Sequence, residues 1–304
     1  METYRTPDER FAVLAGFDRE PRYAEVPDGD GGSLRMAYVE AGPADGPVVL
    51  LLHGEPTWSY LYRHVIHVLS DAGIRAIAPD LVGFGRSDKP TSPQDHSFAR
   101  HVAWVRSLAL DRLDLQNITL VCQDWGALLG LRLVAEHPDR FARVVVANGF
   151  LPTGDIPAGD AFLAWQKFSQ EVPEMPIGRI VSGGCVSDLA DDVVAAYDAP
   201  FPDESFKEGA RQFPVLVPTS PDDPAAPGNR KAWEVLGTFD KPVLTAFGDS
   251  DAITRGADRV IQSLIPGAEG QPHTTIEGAG HFIQEDRGEE LARVTVEFIR
   301  STPG

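Results

Sequence analysis

Cysteine and long apolar runs are both scarce in this chain. Its 304 residues include two cysteines, Cys122 and Cys185, which lie far apart and lack the spacing of metal ligands. This scarcity argues against a disulfide framework and favours two reduced thiols in a cytoplasmic protein. No stretch approaches the ~20 apolar residues that a membrane-spanning helix needs. Residues 1–11 are charged and lack the apolar core of a signal peptide.

Basic residues are also few, with 27 lysines and arginines against 45 aspartates and glutamates. The formal net charge of −18 repels nucleic acids and anionic membrane surfaces, so neither is an expected partner. Any anion that the protein handles must therefore be bound by local hydrogen-bond donors. A monomer that acts on a small molecule is the simplest prediction.

Short apolar runs alternate with amphipathic helical patterns along most of the chain. Runs without polar alternation are typical of strands buried on both faces, as in a parallel sheet. The runs predicted to be strands are 48–52, 74–79, 118–122, 144–147, 243–247 and 274–276. Segments 24–26 and 34–39 flank an Asp- and Gly-rich stretch and predict a hairpin at the sheet edge. The whole pattern predicts an α/β fold with a doubly wound, mostly parallel sheet.

The alternation of strands and helices stops after Phe150. From 151 to 229 there is no buried-strand run, and prolines separate short helical pieces. We therefore expect residues 151–229 to form a helical cap domain, hereafter the cap. The core domain would then consist of residues 1–150 and 230–304.

Segment 122–126 (Cys-Gln-Asp-Trp-Gly) joins the end of a predicted strand directly to a helix. This is the context of a nucleophile elbow, in which a tight turn presents a side chain at the carboxyl end of a sheet. The residues two positions before and two positions after the nucleophile must be small so that the tight turn does not clash. Cys122 and Gly126 meet that need. Asp124 could instead be an ordinary helix N-cap, and the motif alone leaves both interpretations open.

Three further motifs follow predicted strands. Segment 53–56 (His-Gly-Glu-Pro) has the position of a loop that supplies an oxyanion-hole N–H, here from Glu55, with Trp125 supplying the other. Segment 248–251 (Gly-Asp-Ser-Asp) offers a carboxylate that could orient a histidine, although it could also be a solvated turn. Segment 278–282 (Gly-Ala-Gly-His-Phe) carries His281, whose alternative role is structural.

The order of these motifs favours catalysis over the separate structural interpretations. Nucleophile, acid and histidine follow one another in α/β-hydrolase triads. Asp124, Asp251 and His281 have that order, and each stands just after a predicted strand. The fold expected from this order is the α/β-hydrolase fold with an inserted helical cap.

Several segments resemble the haloalkane dehalogenases. They are 53–60 (His-Gly-Glu-Pro-Thr-Trp-Ser-Tyr), 80–88 (Asp-Leu-Val-Gly-Phe-Gly-Arg-Ser-Asp), 123–126 (Gln-Asp-Trp-Gly), 197–203 (Tyr-Asp-Ala-Pro-Phe-Pro-Asp) and 280–286 (Gly-His-Phe-Ile-Gln-Glu-Asp). The resemblance covers nearly the whole chain and is closest to the subfamily with an Asp–His–Asp triad and two halide-binding tryptophans. Segment 171–196 of the cap differs most from the pattern of the family.

The resemblance implies a role for each candidate residue. Asp124 would be the nucleophile, His281 the base and Asp251 the acid. A related subfamily has its acid after an earlier strand, but this chain has Asn148 there, and an amide cannot take that role. Trp125 and a cap tryptophan would hold the halide.

Trp165 is the one tryptophan between residues 126 and 232, although it could simply pack within the cap. The apolar walls of the pocket are expected from four phenylalanines: Phe150, Phe162, Phe168 and Phe282.

The predicted reaction uses a haloalkane and water and yields a primary alcohol and a halide ion through a covalent alkyl ester of Asp124. An aspartate carboxylate is ionised at neutral pH, whereas a serine hydroxyl must first lose its proton. No cofactor and no metal are expected.

Two other functions stay open from the sequence. An epoxide hydrolase shares the Asp–His–Asp plan but usually opens the ring with two cap tyrosines, and this cap has only Tyr197. A binding protein on the same fold would show no turnover.

Overall fold

The computed structural model describes residues 1–303 and contains a central eight-stranded sheet. Its strands are short apolar segments whose side chains are buried on both faces, as in Ile118–Cys122 and Phe141–Val146. Thr3–Tyr4 and Lys89–Pro90 form a separate two-stranded ribbon. The strands are β1 (Thr3–Tyr4), β2 (Arg22–Pro27), β3 (Ser33–Ala41), β4 (Val48–Leu52), β5 (Arg75–Pro79), β6 (Lys89–Pro90), β7 (Ile118–Cys122), β8 (Phe141–Val146), β9 (Val243–Gly248) and β10 (Thr274–Ile276).

The sheet order is β10-β9-β8-β7-β4-β5-β3-β2. Neighbouring strands from β10 to β5 are parallel, while β3 is antiparallel to β5 and β2 is antiparallel to β3. This confirms the predicted doubly wound, mostly parallel sheet with a hairpin at its edge. Because parallel strands end at one edge, the loops after β4, β7, β9 and β10 meet there.

Ten α-helices connect and flank the strands. They are α1 (Arg63–Asp71), α2 (Phe98–Arg106), α3 (Trp125–Glu136), α4 (Asp160–Glu171), α5 (Ile177–Gly183), α6 (Asp191–Asp198), α7 (Glu208–Leu216), α8 (Ala226–Leu236), α9 (Ala257–Leu264) and α10 (Ile283–Ser301). α1 packs against α10, and α3 packs against α2 and α8. α2 continues into a π-helical turn, Ser107–Arg112. None of these helices, within residues 1–303, is long and apolar enough to cross a membrane.

Helices α4 to α7 lie in the cap, between β8 and β9 in the chain. α4 packs against α7, and α5 packs against α6. The cap boundary predicted at residue 229 falls inside α8, which packs against α3 of the core.

A buried ion pair of the core makes a contact with the cap through Tyr197. Arg63 of α1 donates to both oxygens of Glu285 in α10, the longer contact being 2.7 Å from Nη2 to Oε2. The hydroxyl of Tyr197 in α6 donates to the same carboxylate. All three side chains are almost completely buried, so the pair depends on these mutual contacts to offset the cost of desolvating its charges.

Candidate active site

Asp124 lies at a strained turn between β7 and α3. Its backbone has φ 49° and ψ −125°, a region that few residues other than glycine occupy. The turn is tight because the chain passes close to β4, and a Cβ on Gly126 would lie 1.9 Å from the carbonyl oxygen of Leu52. The geometry is that of the nucleophile elbow expected from the sequence.

Both oxygens of the Asp124 carboxylate have a partner from another loop. The N–H of Glu55 donates to Oδ1 at 2.7 Å, and Nε2 of His281 lies 3.5 Å from Oδ2. Gly54 makes the first contact possible, since a Cβ there would lie 2.3 Å from Oδ1. The loop after β4 and the loop after β10 thus converge on one carboxylate.

His281 lies between two carboxylates. On one side its Nε2 faces Asp124, and on the other its Nδ1 lies 3.2 Å from Oδ1 of Asp251. The backbone N–H of His281 donates to the carbonyl of Gly184 in the cap at 2.7 Å. Its ring also packs against that of Phe282, with centroids 5.1 Å apart.

Asp251 is held in a fixed orientation by the turn that it begins. Its side chain accepts hydrogen bonds from the N–H of Ile253 at 2.9 Å and from the hydroxyl of Thr254. Burial alone raises the pKa of Asp251, but the charge of His281 and these hydrogen bonds outweigh it and lower the pKa to about 2. Asp249 points elsewhere and accepts the N–H of Gly278 at 3.0 Å.

The electrostatics of His281 follow from its two acidic neighbours. Burial favours the neutral ring and lowers the pKa of His281. The charge of Asp251 and the hydrogen bond with Asp124 act in the opposite direction and raise that pKa to about 10. The two acidic neighbours therefore favour the protonated ring of His281.

Trp125 is the first residue of α3 and is 2% exposed. A residue at this position has a backbone N–H without a partner inside the helix. Its indole packs among aromatic rings of the core and the cap: the centroid of Phe213 in α7 lies 4.3 Å away and that of Phe98 in α2 lies 5.3 Å away. Packing from both domains fixes the ring beside Asp124.

Trp165 lies on α4 of the cap and is partly buried. Burial raises the pKa of Glu55 well above its usual range, and the side chain of Trp165 acts on that pKa in the opposite direction. Two other tryptophans are engaged elsewhere, since Trp58 donates to the carbonyl of Ala196 at 3.2 Å and Trp233 to that of Leu151 at 2.8 Å. Trp165 is the one tryptophan of the cap.

The four phenylalanines predicted to line the pocket lie in different surroundings. Phe282 is buried beside His281. Phe150 is partly buried, with its ring centroid 5.3 Å from that of Trp233. Phe162 is partly buried in α4, and Phe168 is 42% exposed with its centroid 5.8 Å from that of Trp165. Their part in the pocket stays a prediction.

Two amides that hold His281 were not identified from the sequence as functional. Nε2 of Gln123 donates to the backbone oxygen of His281 at 3.1 Å. Nδ2 of Asn148 donates to the carbonyl of Gly280 at 2.7 Å, and its Oδ1 accepts the N–H of Gly248. Both follow buried strands at the carboxyl edge of the sheet, which is the signal that could have revealed them.

Tyr197, the one tyrosine of the cap, has its hydroxyl bonded to Glu285 and is fully buried. This contact argues against a role for that hydroxyl in opening an epoxide ring. In residues 1–303, no three or more His, Cys, Asp and Glu side chains are grouped in a way that could hold a metal ion.

Comparison with known proteins bears on the fold and the family. A family model described as the alpha/beta hydrolase fold matches residues 47–182. The haloalkane dehalogenase of Psychrobacter cryohalolentis is 56% identical over 303 residues, covering 100% of both chains. Haloalkane dehalogenase 1 of Mycobacterium bovis is 54% identical, covering 99% of this chain and 100% of its own.

A solved structure is similar over the same length. The tetrameric structure of haloalkane dehalogenase DpaA from Paraglaciecola agarilytica NO2 superposes with a TM-score of 0.91 at 39% identity, covering 99% of each chain. High identity over complete chains, on the same fold, shows the family. The chain belongs to the haloalkane dehalogenase family of α/β-hydrolase-fold enzymes.

Proposed function

We propose that this chain hydrolyses the carbon–halogen bond of a small haloalkane through a covalent ester of Asp124. The observation that carries the proposal is the position of this carboxylate at a nucleophile elbow, 2.7 Å from the N–H of Glu55 and 3.5 Å from Nε2 of His281. The names of the full-length relatives support the same reaction. The products are an alcohol and a halide ion.

In the first step, Oδ2 of Asp124 attacks the carbon that bears the halogen. The new C–O bond forms as the C–X bond breaks, and the bonding electron pair leaves with the halide. Oδ1 remains on the N–H of Glu55 and becomes the carbonyl oxygen of the ester. A carboxylate suits this displacement because it is a nucleophile without a proton to remove.

Ester formation changes the protonation of His281. The charge of Asp124 and its hydrogen bond help to raise the pKa of His281 in the free protein. Once Asp124 is esterified, that charge is lost and burial of the ring favours the neutral form. His281 then releases its proton to solvent more readily, and the neutral ring serves as the base in the next step.

In the second step, His281 takes a proton from water, and the hydroxide attacks Cγ of the ester. The N–H groups of Glu55 and Trp125 stabilise the oxyanion on Oδ1. Asp251 stabilises the imidazolium through its contact with Nδ1, 3.2 Å away. The tetrahedral intermediate collapses as the bond from Cγ to the alkoxide oxygen breaks, and the alkoxide takes the proton from His281. The carboxylic acid left on Asp124 then gives its proton to His281, which restores the carboxylate and the protonated ring.

The leaving halide is proposed to bind the indole N–H groups of Trp125 and Trp165. Indole N–H is a donor without a competing acceptor, which suits a small anion in a protein of net charge −18. The cap, residues 151–229, is proposed as the domain that covers this site. Apolar walls from Phe150, Phe162, Phe168 and Phe282 would hold the alkyl chain.

A panel of substrates tests the proposed reaction. Purified protein should release halide from short bromo- and chloroalkanes, measured by ion chromatography, and Asp124→Ala should release none. An equal panel of epoxides should give no diol. Diol formation without halide release would identify an epoxide hydrolase, and no turnover of either panel would favour a binding protein.

We propose that the protein acts as a monomer, because every residue of the proposed site comes from one chain. The related DpaA structure is tetrameric. Size-exclusion chromatography with light scattering gives the mass directly, and a particle of about four chains would contradict the proposal.

A further inference from the structure

The side chain of Gln123 is fully buried beside the elbow, and the reaction described so far does not use it. Its amide nitrogen contacts His281 twice, since the backbone oxygen of His281 lies 3.1 Å away and Nε2 of the ring lies 3.3 Å away. The amide oxygen Oε1 has no hydrogen-bond partner within residues 1–303. The amide is therefore held through its nitrogen, and His281 is the residue that it serves.

The contacts of His281 fix which atoms donate when its ring is neutral. Nδ1 lies 3.2 Å from Oδ1 of Asp251, and a carboxylate only accepts, so Nδ1 carries the hydrogen. Nε2 of the neutral ring then has a free lone pair and accepts. The backbone oxygen of His281 also only accepts, so the group of Gln123 beside it must be the NH2 group. An amide N–H thus faces the lone pair of Nε2.

We propose that Gln123 is a positioning residue, which holds His281 in its neutral form by donating from its amide to the lone pair of Nε2. The inference rests on the proposed function, in which that lone pair is the base for ester hydrolysis. In the protonated ring, Nε2 carries a hydrogen and cannot accept from the amide. At 3.3 Å the contact is longer than a usual hydrogen bond, so water can replace it when the base acts.

The charged groups that face His281 oppose this donor. Asp124 lies 3.5 Å from Nε2 and Asp251 lies 3.2 Å from Nδ1, and both favour the protonated ring. Glu55 of the loop after β4 acts in the same direction when it is ionised. From the cap, the uncharged carbonyl of Gly184 accepts the backbone N–H of His281 at 2.7 Å. Esterification removes the charge of Asp124, and the amide then favours the neutral ring at the stage that needs a base.

Two substitutions remove the donor and differ in what replaces it. Gln123→Met puts an apolar side chain of similar length in its place, whereas Gln123→Glu keeps the shape and presents acceptor oxygens to Nε2. The backbone oxygen of His281 keeps its donor from Asn148, 3.1 Å away, in both variants. Gln116→Met, on the exposed surface, is the control for a lost glutamine.

The rate at which the alkyl ester of Asp124 disappears tests the proposal when it is followed at several pH values. The protein is mixed with one equivalent of a short bromoalkane, and rapid quenching with intact-protein mass spectrometry gives the amount of alkylated protein. In the wild type and in Gln116→Met the rate should rise with pH as His281 becomes neutral.

The midpoint of this rise should move upward in Gln123→Met, because the neutral ring has lost a donor. The expected shift is about 0.4 to 1 pH unit, as for one neutral hydrogen bond. Below the midpoint, the ester should decay about two- to tenfold more slowly than in the wild type, and well above it the rates should agree. Gln123→Glu should shift the midpoint further in the same direction, because a carboxylate favours the protonated ring.

Two outcomes would overturn the inference. An unchanged midpoint in both variants, even with slower decay at every pH, would show that Gln123 only supports the structure. A midpoint that moves downward would show that the amide favours the protonated ring. Thermal melting checks folding, and Gln123→Glu, which keeps the shape, decides the matter if Gln123→Met does not fold.

The wild-type protein distinguishes failure of this inference from failure of the proposed function. A burst of halide and a mass increase of one alkyl group in the wild type leave the proposed function intact, whatever the variants of Gln123 do. Their absence would contradict the proposed function, and the inference with it.

Discussion

At the scale of single residues, Asp124 combines a strained backbone with a carboxylate held at both oxygens. The strain at φ 49° is maintained by the surrounding packing, and the close approach of Gly126 to Leu52 leaves little room for another conformation. One consequence is that the carboxylate meets both the N–H of Glu55 and His281 without rearrangement. The two steps of the reaction can then be separated by substitution.

Replacing His281 should stop the reaction at the ester. In His281→Gln, Asp124 keeps its nucleophilic oxygen, but water lacks a base. We expect one equivalent of halide to be released in a burst, after which the enzyme carries the mass of one alkyl group. Rapid-quench measurement follows the halide burst, and intact-protein mass spectrometry detects the alkylated enzyme. Sustained turnover at the wild-type rate would contradict the role of His281.

The two aspartates after β9 should differ in importance. Asp251→Asn removes the charge that raises the pKa of His281, so kcat should fall by about a thousandfold, as when a triad acid is lost. Asp249 contacts only its own loop and the N–H groups of Gly278 and Ala279, so Asp249→Asn should stay within about tenfold. Equal losses of kcat would leave the acid unassigned.

At the scale of elements, one carboxylate connects the His281 loop to the cap. Asp286 accepts the N–H of Gly280 at 2.8 Å and that of Ser187 in the cap at 2.7 Å. Docking of segment 184–187 therefore helps to hold the loop that carries His281. A substitution at Asp286 should therefore change both the rate of turnover and the packing of the cap.

Asp286→Ala should lower both stability and turnover. The buried N–H groups would lose a charged acceptor, which costs about 3 kcal/mol in the free energy of unfolding. kcat should fall because the position of His281 is less well defined. Urea unfolding and steady-state kinetics measure the two effects, and Asp188→Ala, an exposed cap residue, is the control. Unchanged stability would show that the cap does not hold the loop through Asp286.

Tyr197→Phe separates the structural role of this hydroxyl from a catalytic one. It removes one hydrogen bond to Glu285 and leaves the ion pair with Arg63, so stability should fall by about 1 kcal/mol. Halide release in the burst should keep its wild-type rate. A loss of the burst in a folded variant would mean that the hydroxyl takes part in the chemistry.

The sequence predicted the bounds of strands that have strong apolar patterns. Its predictions were less accurate where a strand depends on contacts with distant segments. The strands 48–52, 118–122 and 274–276 have the observed bounds because each is an uninterrupted apolar run between turns. β8 begins at Phe141 rather than 144, since Arg143 lies within it and pairs with Thr119 of β7 and with Thr302. A charged residue in a buried strand depends on those partners, which no local pattern shows.

The same limit applies to the site. The motifs that contain Asp124, Asp251 and His281 each follow a strand, so sheet topology alone brings them to one edge. The position of Trp165 relative to the elbow depends on how the cap docks on the core, and this is a tertiary property.

At the scale of the whole molecule, a buried histidine pair should make the protein sensitive to acid. Nδ1 of His96 lies 3.1 Å from Nε2 of His101, beside the rings that pack on Trp125. Burial lowers the pKa of His96 to about 4 and that of His101 well below its usual value. Both rings are therefore neutral in the folded protein, and the unfolded chain binds protons that the folded one does not.

Stability should fall as the pH drops below about 6.5, the usual pKa of histidine, toward 4. For His96 alone the loss amounts to about 3 kcal/mol by pH 4. Urea unfolding at several pH values measures it, and His96→Asn should flatten the profile, whereas the exposed His67→Asn should not. If the free energy of unfolding of His96→Asn depends on pH as steeply as that of the wild type, His96 is not the source of the acid sensitivity.

The net charge of −18 also has a consequence for the reaction as a whole, since halide must be bound by local donors rather than by the field of the protein.

The central claim is that the oxygen delivered to the alcohol comes from Asp124. A single turnover in H2 18O, followed by mass spectrometry of the peptide that contains Asp124 and of the alcohol, tests it most directly. Label in the Asp124 carboxylate, with unlabelled alcohol, is the predicted result. Label in the alcohol and none in Asp124 would show that water attacks the alkyl carbon directly, and the ester mechanism would be wrong.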